Sequence, residues 1–228
     1  MNNVPLRRVR SFVRRDSRIT EAQQRALDSV LPVLGLNLQD GLIDLATVFQ
    51  RDAKTNLEIG FGSGYSLLEM AKSNPSENFI GIETHLPGVG SLLQGIESAE
   101  LKNIRIYYAD AVEVLQQCIP ENSLDVVQIF FPDPWPKRKH HKRRLIQEDF
   151  VKLILTRLKP GGMIHLATDW QHYAEQMMDV LSTITELKNV MDSGQYADRS
   201  SQRPVMTKFE QRGRLCGRAI WELQFVKL

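Results

Sequence analysis

A carboxylate and an indole stand close together in Phe130-Phe131-Pro132-Asp133-Pro134-Trp135-Pro136-Lys137, and a dense cationic run follows at once in Arg138-Lys139-His140-His141-Lys142-Arg143-Arg144. Proline fixes φ and removes a backbone donor, so the three prolines around Asp133 and Trp135 predict a stiff loop with few available shapes. Six of the eight residues 137–144 are Lys or Arg and none is acidic. A rigid acid and aromatic pair beside such a ridge suits a site that holds a nucleobase while the ridge holds phosphates. His140 and His141 lie inside the run, where phosphate or solvent contact fits better than metal binding, and no Cys or His pair has zinc spacing.

A second constellation is Glu58-Ile59-Gly60-Phe61-Gly62-Ser63-Gly64. Glycines let the backbone turn sharply and let a ligand approach it. The spacing is G-x-G-x-G with an acid two residues earlier, which differs from the dinucleotide fingerprint G-x-G-x-x-G. An acid there would repel a pyrophosphate. It suits a ligand with an amino group and a positive centre, such as S-adenosylmethionine. Glu83 follows 25 residues after Glu58, where a carboxylate can accept both hydroxyls of a ribose, and Asp110 stands where a side chain can meet an adenine. Singly, each acid reads as a strand-end polar residue or a helix cap. Together they close three successive strands, the edge at which open α/β sheets bind ligands.

The elements that must position these residues follow from periodicity. Strands are predicted over 55–59, 78–82, 104–108, 124–131, 163–168 and 219–226, and helices over 65–72, 87–101, 111–118, 145–158 and 172–182. Thr20 with Gln23 predicts a capping box opening a helix that runs to about Val30. Residues 34–49 show mixed patterning and are expected to be partly loop. Lys159-Pro160-Gly161-Gly162 is expected to stop the preceding helix. Strands alternating with helices predict a parallel sheet covered on both faces, an α/β fold.

The net charge of +2 conceals a division: residues 1–18 carry +5, residues 137–144 carry +6, and the rest of the chain carries −9. Two basic clusters on an acidic body match a footprint that releases counterions from nucleic acid. The 228 residues fit a basic arm with a first helix over 1–35 and a single domain over 36–228. No apolar run approaches the roughly 20 residues of a membrane helix, and the Arg-rich start lacks the apolar region of a signal peptide. Cys118 and Cys216, far apart in sequence, suggest a reducing, cytoplasmic setting.

With these residues identified, the chain resembles the class I S-adenosylmethionine-dependent methyltransferases, and more narrowly the bacterial tRNA (guanine-N7-)-methyltransferase family. The likeness runs from Arg7 to Phe225 and is most specific at Phe130 to Trp135, the basic run through Arg144, Thr168-Asp169-Trp170, and Thr207-Lys208-Phe209-Glu210. It implies a Rossmann-like sheet whose final strand is antiparallel, and transfer of a methyl group to N7 of a guanine in the tRNA variable loop. It implies cofactor contacts from Glu58, Gly60, Gly62, Glu83, Asp110 and Asp133, with Asp133 catalytic. Lys137, Asp169, Thr207, Lys208, Phe209 and Glu210 match substrate-binding positions, and Lys139, His140, His141, Lys142, Arg143 and Arg144 match the RNA-contacting segment. Thr84, where an aliphatic residue is expected, and Pro136, where His is common, depart from the pattern without removing a functional group.

Guanine N7 carries a lone pair and no proton, so positioning and electrostatics are the enzyme's main tasks. Asp133 is expected nearest the methyl group, and Glu210 or Asp169 is expected to accept from the guanine N1–H and N2–H₂. Trp135, Trp170 and Phe209 are candidates for stacking on an extruded base or, equally, for packing. No metal and no membrane is expected, and tRNA is the expected partner. Competing readings are a methyltransferase of the same fold with another RNA or a non-RNA substrate, a non-enzymatic RNA-binding protein, and a nicotinamide-dependent dehydrogenase, which the glycine spacing disfavours.

Overall fold

A computed structural model describes residue 11, residues 18–200, residue 203 and residues 205–228, with the side chains of Lys208 and Phe209 outside the description. The basic run of residues 7–10 and 12–17 therefore lies outside the described residues. The described elements run α1 (Glu21–Ser29), α2 (Leu31–Leu34), β1 (Gly35–Leu36), α3 (Leu45–Phe49), β2 (Thr55–Ile59), α4 (Tyr65–Ser73), β3 (Asn78–Glu83), α5 (Leu86–Ser98), β4 (Ile104–Tyr108), α6 (Ala111–Gln117), β5 (Leu124–Phe130), α7 (Glu148–Arg157), β6 (Leu158–Thr168), α8 (Gln171–Ser182), β7 (Leu187–Asn189), α9 (Lys208–Leu215) and β8 (Trp221–Lys227).

One eight-stranded sheet runs in the order β1-β4-β3-β2-β5-β6-β8-β7. The pairings from β1 through β6 are parallel, and β8 lies antiparallel to both β6 and β7. The chain winds outward from β2 in one direction and from β5 in the other. The crevice at their carboxyl ends is the switch point where ligands of open α/β sheets bind. Leu57, Ile80 and Val127 point to the face covered by α6, α7 and α8, while Phe79 and Ile104 point to the face covered by α1, α4 and α5. Both faces are buried, so the central strands carry few exposed residues, and the polar ones among them, such as Asn56, Glu58 and Gln128, are buried as well.

The capping box forms as predicted: Gln23 N donates to Thr20 Oγ1 at 3.2 Å, and Thr20 N donates to Gln23 Oε1 at 2.9 Å. Among the boundaries that differ from the sequence reading, the starts of α7 and β6 bear on the site. Residues 138–143 form a short 3-10 segment, so α7 begins at Glu148 and not at Leu145. The helix ends at Arg157, and Lys159 to Gly162 lies inside β6. Leu158 pairs with Leu124 and Met163 with Val126, so the intervening residues bulge outward between two paired stretches, with Gly161 at φ 77°. The helix thus stops just before Lys159-Pro160-Gly161-Gly162, within one residue of the expected end, and the segment itself forms an irregularity near the start of β6.

Candidate active site and nucleic-acid interface

Glu58 is buried in the middle of the sheet, paired in register with Gly81 of β3 and Gln128 of β5. Burial pushes its carboxyl up to about 8, Arg203 opposes that rise, and Glu83 adds to it. Its Oε2 has no hydrogen-bond partner among the described residues. A buried carboxylate oxygen without a donor is costly unless a ligand supplies one. Beyond it Gly60, Gly62 and Gly64 all take positive φ, at 75°, 60° and 75°. A Cβ built on Gly60 or Gly62 meets nothing within 4 Å, so these two face open space, whereas one on Gly64 would lie 2.5 Å from Leu92 Cβ. The first two glycines leave room for a ligand, and the third permits close helix packing.

Glu83 ties this turn down. Its Oε2 accepts from Gly62 N at 2.8 Å, and its Oε1 accepts from Thr84 N at 2.6 Å and His85 N at 3.0 Å. Asp110 caps α6, accepting from Val112 N at 2.9 Å. The three acids thus sit at the carboxyl ends of β2, β3 and β4, as the sequence reading expected of their placement. An unpartnered carboxylate oxygen beside an open, backbone-lined turn fits the amino group and the body of an S-adenosylmethionine-type cofactor.

The Asp133 loop leaves β5 across the crevice. Phe131 N donates to Ala167 O at 2.8 Å, extending the pairing to β6 by one residue before the chain turns. Phe131 (φ 53°) and Trp135 (φ 43°) both adopt left-handed backbone. Such conformations in bulky residues cost of order 1–3 kcal/mol each, and here they bracket an exposed Asp133. Trp135 is held from two sides: its Nε1 donates to Ser11 O at 3.1 Å, and Arg143 lies 4.7 Å from its ring centre. Its exposed area is therefore partly claimed by the chain itself.

Lys137, Arg138, Lys139 and Lys142 are exposed, while His140, His141 and Arg143 are half-buried. Burial and then the neighbouring cations pull both imidazoles down, with Lys139 next for His140 and Arg144 next for His141. Arg144 departs from the expected RNA-contacting role. It is only 2% exposed, and its guanidinium is spent on Pro134 O, Gln176 and two imidazoles.

The third wall comes from β8 and α9. Thr207 caps α9 by accepting from Glu210 N at 3.1 Å. Glu210 is fully buried and holds Arg203, Arg199 and Arg214. Arg203 is also fully buried, pairs with Glu222 as well, and lies over the rings of Phe130 (4.8 Å) and Phe131 (5.5 Å). Glu222 in turn accepts from His165 Nε2 at 2.9 Å. Although burial pushes its carboxyl up, the His165 hydrogen bond and Arg203 hold it below the ordinary carboxylate range. Glu210 is thus an anchor of a buried ionic network, and its carboxylate is not presented to a base edge. Asp169 pairs with Arg218 at 2.7 Å, and Arg218 also lies 5.7 Å from the Trp170 ring centre. Trp170 packs against the main core.

Arg203, Glu222, His165 and Arg218 were not anticipated from sequence. One signal was present: Glu58, Gln128 and His165 are polar residues in buried apolar strands, and the register aligns them side by side across β2, β5 and β6. Arg203 had no such signal, because its partners are brought together only by the fold.

A family model described as "Putative methyltransferase" matches residues 52–223. The tRNA (guanine-N(7)-)-methyltransferase of Idiomarina loihiensis is 54% identical over 220 residues, which covers 96% of this chain and 89% of that protein. The protein of the same name from Salmonella choleraesuis is 50% identical over 227 residues, covering 100% and 95%. Among solved structures, the 16S rRNA methyltransferase KamB superposes with a TM-score of 0.56 at 12% identity, over 97% of this chain and 99% of its own. TrmN from Thermus thermophilus gives 0.55 at 18% identity, over 84% and 48%. These two speak to the fold, the mostly parallel sheet with one antiparallel end of class I methyltransferases. The full-length relatives speak to more: the chain belongs to the tRNA (guanine-N(7)-)-methyltransferase family.

Proposed function

We propose that this protein transfers a methyl group from S-adenosylmethionine to N7 of a guanine in the variable loop of tRNA, in the cytoplasm. The observation that carries the reading is the pairing of the buried, unpartnered Glu58 with the Asp133 loop at the carboxyl ends of the adjacent strands β2 and β5. The cofactor supplies an electrophilic methyl on a sulfonium. Glu58 accepts from its ammonium group, and Gly60 and Gly62 give its body room against the backbone. Glu83, already fixed by three backbone donors, turns its remaining lone pairs to the ribose hydroxyls. Asp110 borders the adenine.

Asp133 stands on a loop stiffened by Pro132, Pro134 and Pro136, so its carboxylate is positioned before substrate arrives. N7 needs no base to remove a proton, and the methylated guanine is cationic. Asp133 therefore acts by stabilising positive charge as it develops. With Glu210 committed to arginines, Asp169 beside Arg218 is left as the acid to accept from the guanine edge. Lys137 and Thr207 border the base, while Arg138 to Arg143 hold phosphates. Incubation with methyl-labelled cofactor and unmodified tRNA should move label into the RNA. Asp133→Ala should reduce turnover by about 10²–10³-fold, and near-wild-type turnover would remove Asp133 from the chemistry.

A further inference from the structure

Arg144 closes the cationic run in sequence yet contributes nothing to its surface. Its Nε donates to Pro134 O at 2.8 Å, one residue past Asp133. Nη1 donates to Gln176 Oε1 at 2.6 Å and lies 3.1 Å from His172 Nδ1, both on α8. Nη2 lies 3.2 Å from His141 Nε2 on the ridge, and the guanidinium stacks 4.8 Å from the Tyr173 ring centre. Tyr173 is fixed in turn, since its hydroxyl accepts from Ile146 N at 3.1 Å. One planar cation thereby joins the Asp133 loop, the ridge and a core helix. Arginine is suited to this because its donors form a rigid fork, and a lysine could occupy only one of the three corners at a time.

The prolines make the loop stiff but do not fix its orientation relative to the sheet. Phe131 N anchors one end on β6, and Arg144 anchors the other through the Pro134 carbonyl. We propose that Arg144 is a positioning residue for methyl transfer, holding the Asp133 loop against α8 and linking it to the phosphate-binding ridge, without itself contacting RNA. The proposal rests on the methyl-transfer reading above for its kinetic arm, but its structural arm does not.

The test compares wild type with Arg144→Lys and Arg144→Gln. Hydrogen exchange of the Phe131 amide, which ties the loop to Ala167 O, should accelerate about tenfold in both variants of the RNA-free protein, the factor expected from losing one charge-assisted hydrogen bond. Amides of β2 and β3 should be unaffected. Turnover at saturating tRNA should fall about 10–100-fold, the usual consequence of a misplaced catalytic group. The dissociation constant for tRNA should stay within about twofold, and the slope of log affinity against log salt should not change. A slope reduced by about 0.7–0.9, with wild-type saturated turnover, would make Arg144 a phosphate contact and overturn the proposal. Unchanged loop exchange in Arg144→Lys would overturn it as well. Should the wild-type protein prove not to methylate tRNA, the exchange measurement still decides whether Arg144 holds the loop.

Discussion

Replacing Glu58 with Gln should make the ligand-free protein more stable at alkaline pH while weakening its hold on cofactor. Burial pushes the Glu58 carboxyl up to about 8 in the folded protein, against an ordinary value of 4.5 in the unfolded chain. Between those values the folded state holds a proton that the unfolded state has lost. Stability therefore falls as pH rises through that window, by about 1.4 kcal/mol per pH unit and on the order of 5 kcal/mol in all. Glutamine keeps the shape and cannot ionise, so Glu58→Gln should match wild type at pH 4.5 and exceed it by on the order of 5 kcal/mol above pH 8. In a chain of this length that corresponds to a Tm gain of roughly 10 °C. Urea or thermal unfolding of the cofactor-free proteins at pH 5.0 and 8.5 reads the difference directly. An ammonium ligand binds the ionised form, so wild-type cofactor affinity should rise about fivefold from pH 7 to pH 8, and the variant should lose both that rise and much of its affinity. Parallel stability curves for the two proteins across this range would refute the reasoning, because they would mean that Glu58 does not titrate there.

Further expectations concern the other walls of the site. Gly62→Ala places a residue at φ 60° with nothing of the protein in the way, so it should lose about 1–2 kcal/mol of stability to backbone strain; isothermal titration should show a larger loss in cofactor binding. Glu210→Gln should destabilise the protein by about 3–5 kcal/mol in denaturant titrations, since it strips the carboxylate charge from a buried arginine network; wild-type stability with lost tRNA recognition would instead make Glu210 a base reader. Charge reversal at Lys139 and Lys142 should weaken tRNA binding and flatten its salt dependence by about 0.7–0.9 per lost contact, which filter binding across a salt series would reveal.

Much of this architecture is legible in the sequence because its central strands are buried on both sides. Leu124 to Phe130 announces itself as a short, mostly apolar run and Thr55 to Ile59 by its Leu57 and Ile59 before the glycine turn, while the three prolines mark where β5 ends. Each acid alone reads as a strand-end residue or a helix cap, and Asp110 is such a cap, so the acids are identifiable only jointly, as three closing three successive strands at one sheet edge. Elements of two to five residues, such as β1, β7 and α3, escaped, since a single turn or pair of residues has no period to detect. Lys159 to Gly162 marks the end of α7 correctly, but the early start of β6 at Leu158 escapes because Pro and Gly conceal the bulge inside that strand. Arg144 illustrates the deeper limit. Six Lys and Arg within eight residues look alike in sequence, and only the packing of α8 beneath the loop turns one of them inward. Glu210 is the same case with opposite sign: nothing near it in sequence reveals that Arg203 and Arg199 consume its charge.

The most direct test of the account is nucleoside mass spectrometry of unmodified tRNA after incubation with the wild-type protein and S-adenosylmethionine, with nuclease mapping of the modified position. The account predicts new 7-methylguanosine confined to the variable loop, dependent on cofactor and largely lost in Asp133→Ala. A different methylated nucleoside, 7-methylguanosine elsewhere in the molecule, or no modification would contradict it.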